Sequence, residues 1–332
     1  MRLGIIGTGR MGHPMARKLI EAGHEVRALA RSQDKRATLA ADGAHPVASV
    51  SEAGEGADAV LVCVFTDEQV QEVCLSSGLL DTMPEGAVLV IHTTGSPRTA
   101  ENIATRAAPF GISVIDAPVS GGPHDIAAGH LTLFAGGTPA ALEQVRPALA
   151  SYADPILHVG PLGAGQRVKL INNALFAAQL GLLTSAVDLA TQLGVDESTL
   201  LSALPHGSAA SRALTAVASR GSVTAFAASV GDFLAKDMEV ARDTAATLGA
   251  DLGPLDQAIT LSGRLQADAP GQQLAMVAGI AEEQLRALGP LEVQVRGMLP
   301  GEADAAVDLD ALCGGPGVRL GTAGLGQAGQ DR

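Results

Sequence analysis

Aromatic side chains are nearly absent from this sequence. Only 2% of the 332 residues are aromatic, with one tyrosine and no tryptophan, so the hydrophobic cores must consist of leucine, valine, isoleucine and alanine. Hydrophobic residues nevertheless make up 47% of the chain, which is ample for a sizeable core. A chain of this length typically forms two domains.

Positive charge is also scarce. The formal net charge is −13, and the sequence has no run of Lys or Arg that would form a basic patch. Nonspecific attraction to nucleic acid or to an anionic membrane is therefore not expected. Lysine is especially rare, so each of the four is a candidate for a specific role: Lys18, Lys35, Lys169 and Lys236.

The few cysteines and histidines form no recognisable site. Cys63, Cys74 and Cys313 belong to no motif, and an odd, sparse count favours a reducing compartment. No histidine has a partner at metal-ligand spacing, so we expect no bound metal. Because we find neither a cleavable signal pattern nor an apolar run of membrane-spanning length, we expect a soluble, cytoplasmic protein without membrane or nucleic-acid partners.

Short apolar strands alternate with helical patterns in the first half of the chain. We predict strands at 3–6, 25–30, 59–65, 87–91, 113–119, 131–135 and 156–159. Continuous runs of Val, Leu and Ile between helices indicate a parallel sheet that is covered on both faces. The second half contains only helical patterns, at 166–193, 196–205, 209–219, 231–249 and 253–267. The predicted fold class is therefore α/β, with a doubly wound Rossmann domain followed by an all-helical domain.

Glycine-rich segments indicate where the domains end. Residues 160–165 read Gly-Pro-Leu-Gly-Ala-Gly and interrupt the periodicity. We therefore predict a dinucleotide-binding domain over 1–162 and a helical substrate and dimerisation domain over 163–288. Residues 289–332 are rich in glycine and other small residues and are predicted to form a flexible tail.

A dinucleotide-binding fingerprint follows the first strand. Gly7, Gly9 and Gly12 fit the pattern G-x-G-x-x-G between a strand and a helix, which is the context that this motif requires. Gly7 would permit the tight turn, Gly9 would let backbone approach the pyrophosphate, and Gly12 would let the helix pack closely on the strand. The cofactor-binding residues predicted in this segment are Gly7, Thr8, Gly9, Arg10, Met11 and Gly12.

The end of the second predicted strand indicates which dinucleotide is bound. In NAD enzymes this position carries an acidic residue that binds the ribose 2′-hydroxyl. Here the strand ends at Ala30 and is followed by Arg31 and Ser32. Because arginine pairs well with phosphate through two parallel hydrogen bonds, we predict that NADP is preferred and that NAD is the alternative.

Lys169 is the candidate catalytic acid/base. Its neighbours Val168, Leu170 and Ile171 are apolar, and a lysine in a desolvated cleft has a lowered pKa that lets it take up and release a proton. Arginine cannot replace it, because a guanidinium is not deprotonated at neutral pH. Asn173 lies four residues further along the predicted helix and shares its face, so we predict that both residues are catalytic.

Four segments together resemble the β-hydroxyacid dehydrogenase (3-hydroxyisobutyrate dehydrogenase-like) family, which is related to 6-phosphogluconate dehydrogenase and the imine reductases. These segments are 7–16, 116–122, 163–173 and 236–238, and they occur in the family's order. The resemblance spans residues 1–285. It implies an NADP-dependent dehydrogenase or reductase that acts on a small 3-hydroxy acid or its semialdehyde and that forms a homodimer or homotetramer.

The resemblance also implies roles for further positions. Ser120, Gly121 and Gly122 would hold the substrate carboxylate through a hydroxyl group and backbone N–H groups. Additional cofactor contacts are implied for Phe65, Thr66, Thr94 and Lys236.

Three departures from the family pattern lie where the walls of the substrate site would be. Asp125 and Ile126 replace the usual Gly-Ala. Residues 91–94 read Ile-His-Thr-Thr instead of Asp-x-Ser-Thr, and Arg212 stands where an aromatic or small residue is common. Since Arg212 would favour an anionic group and Asp125 would oppose one, the particular substrate stays open.

Two other functions are compatible with the same motifs. A reductase of imines or of a specialised carbonyl metabolite would share the fold, but imine reductases usually lack a lysine at the position of Lys169. A non-catalytic scaffold that binds a dinucleotide would share the fingerprint. The presence of both Lys169 and Asn173 favours an enzyme over a scaffold.

Overall fold

Strands and helices alternate through the first half of the chain. The structure, a computed structural model, describes residues 1–267. The elements of the first half are β1 (Arg2–Ile6), α1 (Gly12–Glu21), β2 (Glu25–Leu29), α2 (Gln33–Ala41), β3 (His45–Val47), α3 (Val50–Gly54), β4 (Ala59–Val62), α4 (Asp67–Gln71), α5 (Leu79–Thr82), β5 (Val88–Ile91), α6 (Pro97–Ala107), β6 (Ser113–Asp116), β7 (Val119–Ser120), α7 (Pro123–Ala128), β8 (Leu131–Gly136), α8 (Pro139–Leu149) and β9 (Ala153–Gly160).

These strands form one nine-stranded sheet. Its order is β3-β2-β1-β4-β5-β6-β8-β7, with β9 beside β8. Side chains alternate between two cores: in β4, for example, Leu61 belongs to one hydrophobic cluster while Val60 and Val62 belong to the other. A sheet whose strands are apolar on both faces must be covered on both faces, which confirms the predicted doubly wound α/β fold.

The sheet differs from the sequence prediction in three places. β3 was missed because it is a three-residue strand that contains Pro46, and such strands give little signal. The strand predicted over 113–119 is two strands, because the chain leaves β6 after Asp116 and β7 pairs with β8 instead. The sheet is not wholly parallel, since β8 runs antiparallel to both β6 and β7.

A buried histidine and the single tyrosine join the middle of the sheet to its far end. His92 follows β5, and its Nδ1 lies 2.7 Å from the carbonyl oxygen of Ala117 while its Nε2 lies 2.8 Å from the hydroxyl oxygen of Tyr152. Burial lowers the pKa of His92 to about 4, so the ring is neutral, with one nitrogen donating and the other accepting. His92 therefore has a structural role in this fold.

The second half of the described chain is helical, as predicted. Its helices are α9 (Ala164–Gln192), α10 (Glu197–Ala203), α11 (Arg212–Arg220), α12 (Val223–Thr247) and α13 (Pro254–Ala267). They enclose a third hydrophobic cluster, in which Leu170 and Ala174 of α9 pack with Leu214 and Met238. α12 begins eight residues before the predicted start at 231, because Ser222 caps its first turn and Gly231 does not interrupt it.

The expectation that no segment is long and apolar enough to cross a membrane was wrong for α9. By length and composition alone, this 29-residue helix passes such a test, with a mean hydropathy of 1.4 over its most apolar window. The core helix of a soluble protein passes the same test, and α9 packs against β8, β9, α12 and α13. Its contacts are those of a central helix in the fold.

The predicted domain limits remain a prediction. β9 ends at Gly160 and α9 begins at Ala164, so the change from strands to helices falls next to the predicted limit of 162. The predicted tail, 289–332, lies outside the described residues.

Candidate active site

The three glycines of the fingerprint have distinct environments at the carboxyl end of β1. A Cβ on Gly7, whose φ is +97°, would lie 2.2 Å from the carbonyl oxygen of Cys63, and a Cβ on Gly12 would lie 2.0 Å from that of Gly7. Both positions therefore require glycine for close packing. Gly9 instead borders open space. No side chain caps the start of α1, so its N–H groups and positive dipole end face a space suited to a pyrophosphate.

The remaining fingerprint residues link this turn to the end of β2. Thr8 is buried, and its hydroxyl donates to the carbonyl oxygen of Leu29 at 3.4 Å. Arg10 is exposed, and Met11 packs against the core of the sheet. The structure thus brings the fingerprint turn next to the carboxyl end of β2.

The segment after β2 carries an arginine whose side chain has no partner among the described side chains. Arg31 is exposed, and its guanidinium has no hydrogen bond or ion pair within residues 1–261, whose side chains the structure describes. Ser32 caps α2 by accepting the N–H of Lys35, and Arg36 donates from Nε to the carbonyl oxygen of Ala30 at 3.0 Å. Among the described residues, the end of β2 carries no acidic side chain at the position where NAD enzymes have one.

Three predicted cofactor residues from distant segments meet at the ends of β4 and β5. Lys236 of α12 places its Nζ 2.8 Å from the carbonyl oxygen of Thr94 and 5.8 Å from the centre of the Phe65 ring. Phe65 is 56% exposed, so its ring is available for contact. Thr66 is different, because its side chain caps α4 in a reciprocal arrangement with Gln69.

Gln166 fixes the loop that follows β5. Its Oε1 accepts the N–H of Gly95 at 3.0 Å, and its Nε2 donates to the carbonyl oxygen of Thr93 at 2.9 Å. The hydroxyl of Thr93 bridges in turn to the backbone of Val64. The hydroxyl of Thr94 has no hydrogen bond among the described residues, which leaves it available to a ligand.

Asp116 attaches the start of α9 to the sheet. It ends β6, is fully buried, and accepts the N–H groups of Gly163 and Gln166 at 2.7 Å each. Burial raises the pKa of Asp116 to about 6, while these hydrogen bonds act in the opposite direction. Lys169 lies one turn beyond Gln166. Because Asp116 fixes the start of α9, it also fixes the position of Lys169.

Lys169 is buried, as its apolar neighbours predicted. Its exposure is 8%, and burial lowers its pKa to about 8, with Lys236 lowering it further and Asp237 raising it. A lysine with this pKa is present in both protonation states near neutral pH, which is what proton transfer requires.

Asn173 is close to this site, but its amide is engaged by other protein groups. Its Nδ2 donates to Oδ2 of Asp237 at 2.6 Å, and its Oδ1 accepts from Asn172 at 3.0 Å. Lys236 Nζ lies 2.7 Å from Oδ1 of Asp237. This contact is an ion pair without hydrogen-bond alignment, because that oxygen has no hydrogen-bond partner in the described structure.

The turn predicted to hold the substrate carboxylate already contains a carboxylate. Ser120 ends β7, Gly121 has a φ of +129°, and the N–H of Gly122 donates to Oδ2 of Asp125 at 2.6 Å. The hydroxyl of Ser120 has no hydrogen bond to the side chains described, which are those of residues 1–261, or to the described backbone. Of the three predicted substrate ligands, Gly122 therefore already donates its N–H group to a side chain of the protein.

The sequence prediction gave no role to three residues of this site. Asp116, Gln166 and Asp237 all lie in the motifs that carry the family resemblance. The signal for Asp116 was a carboxylate at the end of an apolar strand, and for Asp237 it was an acid in an otherwise apolar helix face. Such groups must find partners when they are buried.

Within residues 1–267, no group of three or more His, Cys, Asp or Glu side chains is arranged to hold a metal ion.

Two family models match this arrangement. Residues 2–160 match the model described as the NAD binding domain of 6-phosphogluconate dehydrogenase. Residues 163–279 match the model described as NAD-binding of NADP-dependent 3-hydroxyisobutyrate dehydrogenase. The chain belongs to the 3-hydroxyisobutyrate dehydrogenase family. It is therefore an NAD(P)-dependent oxidoreductase, and the predicted resemblance is confirmed.

Characterised relatives in this family act on hydroxyl groups. The NAD-dependent L-serine dehydrogenase of Pseudomonas aeruginosa is 34% identical over 64% of this chain and 72% of its own length. The 3-hydroxyisobutyrate dehydrogenase of the same organism is 32% identical over 64% of this chain and 72% of its own. Among solved structures, Mycobacterium tuberculosis 3-hydroxyisobutyrate dehydrogenase with L-serine is 28% identical, covers 80% of this chain and 94% of that chain, and has a TM-score of 0.71.

Replacing Lys169 by methionine is expected to stabilise this dehydrogenase at neutral pH. Because the pKa of Lys169 falls from 10.5 to about 8 on folding, the unfolded chain binds the proton more tightly. The reduction in the free energy of unfolding that the lowered pKa causes is therefore complete below pH 8, and this loss of stability disappears as pH rises through 10.5. We expect Lys169→Met to raise the free energy of unfolding by about 1–3 kcal/mol at pH 7 and by less at pH 10, measured by urea unfolding.

The matched control is Lys35→Met, which removes a lysine from the more exposed surface of α2. It should leave the stability at both pH values nearly unchanged. A Lys169→Met variant that is less stable than the wild type at pH 7 would show that burial of the lysine does not destabilise the fold.

Proposed function

We propose that the protein transfers a hydride between NADP(H) and the hydroxyl or carbonyl carbon of a small 3-hydroxy acid, its semialdehyde or a derivative of one, with Lys169 as the acid/base. The observation that carries this proposal is the burial of Lys169 beside Asn173 and Asp237, on a helix fixed to the sheet by Asp116. The names of the relatives, which include hydroxy-acid and serine dehydrogenases, support the substrate class.

Lys169 would handle the proton of this reaction. When bound, the nicotinamide supplies or accepts the hydride. In reduction, protonated Lys169 donates its proton to the substrate oxygen and stabilises the negative charge that develops there; in oxidation, neutral Lys169 removes the hydroxyl proton. Asn173 would contribute by positioning, since its amide links this helix face to Asp237. The alternative of an imine reductase is less well supported, because it leaves the buried lysine without a role.

NADP would be held by the fingerprint turn, by Arg31 and Ser32 at the ribose, and by Phe65, Thr94 and Lys236 near the strand ends. Support for the phosphate comes from the free guanidinium of Arg31 and from the absence of an acid at the described end of β2. Thr66 would act through its cap, which fixes the start of the segment that presents Phe65.

A second copy of the chain is the proposed partner of α9. Ile171, Leu175, Leu182, Leu189 and Leu193 are 49–71% exposed. At 3.6 residues per turn they fall within about 40° of one another around the helix axis and extend over roughly 33 Å. A continuous apolar stripe of this kind marks an interaction surface, which is consistent with the expected homodimer or homotetramer.

The pH dependence tests the role of Lys169. With NADPH and a semialdehyde, kcat should fall as pH rises through about 8, because the protonated form is lost. Lys169→Met should retain NADPH binding and lose about 10²–10⁴-fold in turnover.

Asp237→Asn removes a charge that raises the pKa of Lys169, so the decrease in kcat should move to lower pH. Exposed Glu239→Gln, on the same helix, should leave the profile unchanged. Turnover of Lys169→Met within a few-fold of the wild type would refute the assignment.

The nucleotide preference tests Arg31. Loss of a charge-assisted contact to phosphate corresponds to about 1.5–3 kcal/mol, so Arg31→Ala should weaken NADPH binding by roughly 10–100-fold and leave NADH binding almost unchanged. Fluorescence titration with both nucleotides measures the two affinities. Arg106→Ala, at the exposed end of α6, is the matched control. Equal weakening of both nucleotides would mean that Arg31 does not read the phosphate.

The oligomeric state tests the stripe on α9. Leu182→Glu puts a charge at its centre, and we expect the species to shift from dimer or tetramer to monomer in light scattering at micromolar concentration, because burying an unpaired charge is costly. Thr191→Glu, on an exposed part of the same helix outside the stripe, serves as the control. A monomeric wild type would contradict the proposal.

A further inference from the structure

The carboxylate of Asp125 folds back onto the turn that follows β7. Its Oδ2 accepts the N–H of Gly122 at 2.6 Å, and His124 Nε2 lies 3.2 Å from the same oxygen. The Asp125 side chain is only 19% exposed, whereas that of His124 is 85% exposed. The carboxylate is thus held against the backbone of the turn, and its neighbouring imidazole lies in solvent.

This carboxylate also fills the space beside the turn. A Cβ placed on Gly121 would lie 2.6 Å from Oδ2 and 3.0 Å from Cγ of Asp125. The space next to the Cα of Gly121 is therefore taken up by the carboxylate of Asp125. The N–H groups of a backbone turn can bind anions. Here the carboxylate of Asp125 accepts the N–H of Gly122.

The turn follows β7, the last strand in the sheet order, while Lys169 lies on α9. Asp116 bonds the first turn of α9, Ser120 is four residues after it, and Lys169 is three residues after Gln166. Four residues span at most about 14 Å, so Ser120 lies within that distance of Asp116, whose carboxylate holds the start of α9. The hydroxyl of Ser120 has no hydrogen bond among the described residues, so it is one group of the Ser120–Asp125 segment that is available to a small molecule.

Building on the proposed function, we propose that Asp125 determines the substrate class by excluding a carboxylate from this turn. A substrate carboxylate there would find the N–H of Gly122 already engaged and would face a like charge at short range. The group of the substrate next to Ser120 is therefore uncharged or cationic, as in an ester, an amide or an amine derivative of a 3-hydroxy acid.

The test compares an acid with its own ester. Binding of 3-hydroxyisobutyrate and of its methyl ester to the NADP⁺-loaded enzyme is measured by calorimetry, and kcat/KM is measured for the same pair. We expect the wild type to bind the ester more tightly. Asp125→Gly removes the carboxylate and exposes the N–H of Gly122, so the acid-to-ester affinity ratio should rise by about tenfold or more. Asp125→Asn keeps the shape and removes the charge, so the ratio should rise by several-fold.

Asp81→Asn is the matched control, because it removes an exposed acid from α5, a helix between β4 and β5 that packs against α3. Its acid-to-ester ratio should equal that of the wild type. A wild type that prefers the acid, with a ratio that changes less than twofold in both Asp125 variants, overturns the inference. Failure of the proposed function looks different: Lys169→Met would then turn over substrate as the wild type does, whatever the acid-to-ester ratio.

Discussion

The buried carboxylate of Asp116 is the contact on which the rest of the site depends. It stands at the end of β6 and accepts two N–H groups from the start of α9 at 2.7 Å each. A buried charge is costly unless hydrogen bonds satisfy it, and the positive end of a 29-residue helix adds to that compensation. The approach is so close that a Cβ on Gly165 would lie 2.7 Å from the carbonyl oxygen of Asp116. The small residues of this junction are therefore a requirement of the contact.

Because α9 starts at a fixed point, the sheet and the helices form one polar network around the end of β5. Gln166 bonds the backbone of Thr93 and Gly95, while Lys236 bonds that of Thr94 from α12. Lys236 is also paired with Asp237, which Asn173 contacts from α9. The residues proposed for the nicotinamide side and those proposed for the proton thus share partners, so displacement of either helix would disturb both.

Local pattern was sufficient to predict the fingerprint, most strands and the buried lysine. The glycines act over a few residues, and the apolar neighbours of Lys169 are adjacent to it in sequence. The partners of Asn173 and Asp116 are 64 and up to 50 residues away, and no spacing rule relates them. Asp125 lies between these cases, because its replacement of a small residue was visible in the sequence. Its contact with the N–H of Gly122 is a capping contact three residues apart at the start of α7, and the sequence pattern did not predict where that helix begins.

The lowered pKa of Lys169 is a property of the packing around α9. Leu170 and Ala174 belong to the third hydrophobic cluster, so the helix face next to the lysine is dry, and desolvation is the largest cause of the lower pKa. A lysine held this way destabilises the fold at neutral pH. Asp237 reduces that cost, yet its negative charge is largely committed to Lys236 at 2.7 Å and to Asn173. If Asp237 paired with Lys169 alone, the lysine would stay protonated and could not serve as a base. The second lysine therefore keeps the first one titratable.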